Sequence, residues 1–178
     1  MKYPGSIIAK NVRNKMKIMS MTVRGEKDLE WLRIVFVMSV LTRAIYTDVK
    51  KGIIENRCIM SGLLLAGGYA VLHNGGKGFL ESITMAMVML VVLFVLFVLK
   101  GLGAGDIKLF CVLAAFYPKS AMGIVVVSFL VAAGMSIVRM LTRFLKREPV
   151  YLKGETINFS IPIGIATATI EVMQWNSI

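Results

Sequence analysis

Cysteine, histidine and acidic residues are all scarce in this chain. Its 178 residues include two cysteines, one histidine and 10 Asp and Glu against 21 Lys and Arg. Cys58 and Cys111 lie far apart in apolar runs, with no Cys-x-x-Cys pair and no histidine cluster near either. They are expected as buried thiols, which excludes a disulfide framework and a thiolate metal site. His73 precedes Asn74-Gly75-Gly76 and reads as a solvated turn residue. No metal and no cofactor is expected.

Apolar side chains are abundant: 57% of the chain is hydrophobic, and the mean hydropathy is +0.74. Soluble domains use about 45–50%. A bilayer span takes about 20 apolar residues, so the length accommodates roughly six spans and no sizeable soluble domain. The expected fold class is all-α, a polytopic integral membrane protein built as a bundle of about six transmembrane helices. Net charge is +11, yet most Lys and Arg sit in short stretches between apolar runs. Membrane topology explains that pattern, and nucleic acid is not an expected partner.

Residues 1–28 form a basic N-terminal tail, with Lys2, Lys10, Arg13, Lys15, Lys17, Arg24 and Lys27 against Glu26 and Asp28. The tail holds no apolar run suited to a signal-peptide core. Residues 29–178 make the membrane-embedded domain, with apolar segments at about 29–47, 58–73, 79–99, 104–117, 120–141 and 157–174. Helices are expected throughout, since an open strand cannot satisfy its backbone in lipid. The fourth segment is short and opens Gly103-Ala104-Gly105-Asp106. Such a segment is expected inside the bundle rather than against lipid.

Stretches after segments one, three and five hold Lys50, Lys51 and Arg57; Lys100 and Lys108; and Arg139, Arg143, Lys146, Arg147 and Lys153. The intervening ones hold only Lys77 and Lys119. The first set is therefore expected in the cytoplasm. With six spans the basic tail would then lie outside, against the rule. Two explanations stay open: the true start is Met16, Met19 or Met21, or the tail lies on the outer surface despite its charge.

Asp48 lies where segment one leaves the apolar region, and Asp106 opens segment four. Two complete spans separate them, so both carboxylates are expected at one membrane face. An acid in a membrane segment costs about 2.5–3.5 kcal/mol at a helix centre and marks a functional position by default. Two carboxyls sharing one proton can hydrolyse a peptide. The ionised one takes a proton from the attacking water while the protonated one polarises the scissile carbonyl. Gly103 and Gly105 would let a substrate backbone or the partner helix approach Asp106. Taken singly, Asp106 also reads as a helix cap and Asp48 as an interfacial residue beside Lys50 and Lys51.

Together, these surroundings resemble the type IV prepilin and preflagellin peptidases, membrane aspartic proteases with a Gly-x-Gly-Asp motif. Gly103-Ala104-Gly105-Asp106-Ile107-Lys108-Leu109 is similar to that family's second catalytic motif. The first motif has Asp, a basic residue two places on, and Ile-Pro-Asn beginning six places on. Asp48, Lys50, Ile54 and Asn56 match it. Glu55 stands where the family has proline, which predicts a less rigid loop. Ile161-Pro162-Ile163-Gly164 resembles, more weakly, the start of the family's last helix.

The resemblance implies an endopeptidase at the cytoplasmic face of a prokaryotic membrane. It would remove the basic leader from prepilin-like proteins just before their apolar stem, with Asp48 and Asp106 catalytic. Larger members carry a cysteine-rich insertion and N-methylate the new terminus; without four cysteines, no methyltransferase activity is expected. Lys108 would hold a substrate carboxylate, tune the dyad or simply reach for water. Asn56 would bond the loop near Asp48. Two other readings are a presenilin-like protease, whose Tyr-Asp pair Tyr46-Thr47-Asp48 does not match, and a small proton or cation transporter using the two acids.

Overall fold

The structure, a computed structural model, describes residues 4–145 and 159–175. Every regular element in them is a helix: α1 (Pro4–Lys51), α2 (Asn56–Val98), α3 (Ala104–Phe116), α4 (Ala121–Leu145) and α5 (Ser160–Trp175). Compact packing divides the chain after Val35. In the first unit, Arg33 pairs with Glu30 one turn away along the helix.

Helix begins at Pro4 rather than near residue 29, so the described part of the basic tail is helical. Lys, Arg, Met and Glu are good helix formers, and polarity alone does not end a helix. Pro4 suits the first helical position, where its missing N–H has no helical partner to lose.

Helix lies under each apolar segment. α2 carries two of them, broken at Asn74 (φ −132°, ψ 15°) and Gly75 (φ 61°), where the Asn-Gly-Gly turn was expected. Gly78 is needed beside this break, since a Cβ there would come within 2.5 Å of the Ala70 carbonyl oxygen. Among the described residues α2 and α4 are long and apolar enough to cross a membrane. Their outer faces leave Leu64, Leu80, Val91 and Leu130 about two-thirds or more exposed. An apolar surface that large marks a membrane or a partner rather than water.

The second unit is organised around α3. From Leu109 to Phe116 every residue is buried, as expected for a helix inside the packed unit. On α1 the buried residues Val37, Val40, Leu41 and Ala44 recur every three or four places and form one stripe. The first half of α2 approaches both neighbours at Gly62, where a Cβ would crowd Val112 of α3 at 2.8 Å and Val40 of α1 at 3.3 Å. Its second half is tied to α3 by the Ser82 hydroxyl, which donates to the Ala115 carbonyl at 2.8 Å. Gln174 of α5 donates to Ser120, just before α4, at 2.6 Å.

Candidate active site

Asp48 lies in the last turn of α1, where the buried stripe ends in Thr47 and Asp48, 5% and 9% exposed. The helix stops because Gly52 takes a left-handed φ of 66°. Its N–H donates to the Asp48 carbonyl at 2.7 Å, closing the final turn. The chain needs only residues 52–55 to enter α2. Glu55, the residue before α2, has φ −66° and ψ 132°. That is the φ to which a proline ring would restrict it. Lys51 reaches back to the Glu55 carboxylate and holds that carboxyl below its ordinary range by hydrogen bond and charge. The backbone at Glu55 thus has a proline-compatible φ without the ring.

Asp106 is the third residue of α3, whose N-cap is Gly103. Its half-buried carboxylate turns back toward Gly103. A Cβ at Gly103 would lie 2.8 Å from Oδ2 of Asp106, and one at Gly105 would lie 3.3 Å from Cβ of Ile54. The space spared by these glycines is thus filled by the catalytic candidate's own carboxylate and by Ile54 from the loop after Asp48.

The Lys108 Nζ donates to Asn56 Oδ1 at 2.9 Å. This second tie joins the two motifs. Lys50 turns back along its own helix, donating to the Tyr46 hydroxyl at 3.0 Å. Ile54 against Gly105 and Asn56 against Lys108 bring the loop after α1 to the start of α3. Open clefts of about 400 and 510 Å³ adjoin them, one along Ile53–Arg57 and the other along Phe97–Gly103. Among the described residues no cluster of His, Cys, Asp or Glu could hold a metal.

Sequence reasoning passed over Ser160. This first residue of α5 is fully buried, and its hydroxyl donates to Oδ2 of Asp48 at 2.6 Å. Gly164, one turn on, permits the approach, since a Cβ there would crowd Cδ1 of Ile45 at 2.9 Å. Ile45 and Asp48 share one face of α1, as Gly164 and Ser160 share one face of α5, so the helices meet antiparallel along this edge. The Ile161-Pro162-Ile163-Gly164 run pointed to this helix but stopped one residue short of the contact.

No curated protein and no solved structure matches the chain. A family model described as the type IV leader peptidase family matches residues 35–137. The match covers more than half the sequence and takes in both aspartates, and on that ground the chain belongs to the type IV leader peptidase family.

Proposed function

We propose that this protein is an intramembrane aspartic endopeptidase that cuts the basic leader from prepilin-like precursors at the cytoplasmic face of a prokaryotic membrane. The observation that carries the reading is the convergence of the two motifs. Gly105 rests on Ile54 and Lys108 bonds Asn56, drawing the α3 end that bears Asp106 onto the loop that follows Asp48. Membership of a leader peptidase family supports the reaction class.

In this mechanism a water lies between the two carboxyls. The ionised one takes its proton as the oxygen attacks the scissile carbonyl. The protonated one donates to the carbonyl oxygen, and a proton then passes to the departing amine. Water and two carboxyls suffice, and no cofactor enters.

Six membrane crossings place both acids on one side, and the Lys and Arg after segments one, three and five assign that side to the cytoplasm. A prepilin-like substrate, with a basic leader and an apolar stem in the bilayer, presents its scissile bond at that boundary. No N-methylation accompanies the cut.

Co-expression with candidate prepilins tests the proposal by leader removal on gels and by mass spectrometry. The parent removes the leader, whereas Asp48→Asn and Asp106→Asn each leave the precursor intact. Undiminished processing by either variant refutes the dyad.

A further inference from the structure

The last helix brings a hydroxyl against Asp48, outside the span that the family model matches. A carboxylate in the last turn of a helix sits at the negative end of its macrodipole. Asp48 is in addition nearly buried. Such a group requires a donor from elsewhere, and among the described residues the Ser160 hydroxyl is the one side-chain donor to it. Ser160 also comes from the N-terminal, positive end of α5.

Three features fix the approach. Pro162 is buried in the first turn of α5, where the helix asks no hydrogen bond of its nitrogen. Gly164 lets α5 lie against Ile45. The Phe159 ring packs edge-on to Phe110 of α3 at 6.4 Å and on Phe129 of α4 at 5.1 Å, tying the residue before Ser160 to two further helices.

We infer that Ser160 is a positioning residue for catalysis: its hydroxyl holds Oδ2 of Asp48, orienting the carboxylate so that its other oxygen faces the attacking water. The inference rests on the peptidase reading above. A hydroxyl can donate to an ionised carboxylate and accept from a protonated one. The contact therefore persists as Asp48 gains and loses a proton, and the carboxylate keeps its orientation through the cycle.

The test is steady-state leader cleavage by purified full-length protein in detergent micelles, comparing the parent, Asp48→Asn, Ser160→Ala and Ser160→Cys. The cysteine variant keeps the side chain's bulk but offers only a weak S–H donor, so it reads the loss without opening a void. Both Ser160 variants are expected to lower kcat by about tenfold to a hundredfold, the scale of a misplaced reacting group. KM should stay within about twofold, since a positioning effect acts on chemistry rather than substrate binding.

Parental kcat in either Ser160 variant overturns the inference while leaving the peptidase reading standing. A raised KM with unchanged kcat also overturns it, since that pattern marks a substrate contact. Failure of the parent to cleave refutes the peptidase reading and this inference with it.

Discussion

Gly103→Ala separates folding from chemistry. A Cβ at this position would stand 2.8 Å from Oδ2 of Asp106 and 3.8 Å from its Cγ. Carbon and oxygen settle at about 3.3–3.6 Å even in a favourable weak contact, so the carboxylate must retreat by roughly 0.5 Å or more. The backbone need not move, because φ −72° and ψ 147° are an extended conformation open to alanine. The cost to stability is therefore small, about 1 kcal/mol for alanine in place of glycine at an N-cap.

The cost to catalysis is larger. A 1 Å misplacement can lose about a hundredfold, so half that displacement corresponds to about tenfold in kcat. Single-turnover leader cleavage at saturating substrate reads the loss, and thermal unfolding in the same detergent reads the fold. Gly134→Ala is the control, since a Cβ there meets nothing within 4 Å. A Gly103→Ala variant with parental kcat would refute the placement of the Asp106 carboxylate against Gly103.

Three other outcomes follow from the loops around the site. Glu55→Pro should be neutral or stabilising by about 0.4–1 kcal/mol, because φ −66° already suits the ring; a drop of about 2 kcal/mol or more in denaturant unfolding would contradict that geometry. Lys100 takes a left-handed φ of 57° at the end of α2, where Lys100 and Gly101 donate to Phe97 and Leu96; Lys100→Gly should relieve about 1 kcal/mol, and an unchanged melting curve would refute the strain. Lys51 holds the Glu55 carboxyl below its ordinary range, so the pair's contribution is present above the unfolded-state value and lost as pH falls through the lower folded one. Carbon-13 NMR titration of labelled glutamate should place Glu55 below the ordinary glutamate value, with the lowering reduced by Lys51→Ala.

Much of the helical layout was legible because its causes are local. Apolar runs marked the helices, Asn74-Gly75-Gly76 marked the break in α2, and a short run opening on two glycines marked α3 as the buried element. Reasoning failed where the cause was remote or substitutable. At Glu55 the backbone takes a proline-like φ without the ring, which no pattern of residue types foretold. Ser160 was missed because no periodicity or spacing links a hydroxyl to a carboxylate 112 positions away. Glu171 was overlooked as well: it is 5% exposed on the inward face of α5 with Thr167 one turn before it, in a segment read only for its apolar length. The glycines of the second motif were recognised, yet what fills their space became visible only once α3 was laid against the loop after Asp48.

The 112-residue separation between Asp48 and Ser160 also has a meaning in time. A ribosome adds about 5–20 residues per second, so roughly 6–20 s pass between the synthesis of the carboxylate and that of the hydroxyl that meets it. Once Asp106 has followed, about halfway through that interval, both aspartates have been made while the helix that meets Asp48 has not. A nascent chain halted before α5 thus carries both acids without the finished seat of Asp48. Full cutting power would arise only as the final helix docks, which delays the protease until its own insertion is nearly complete.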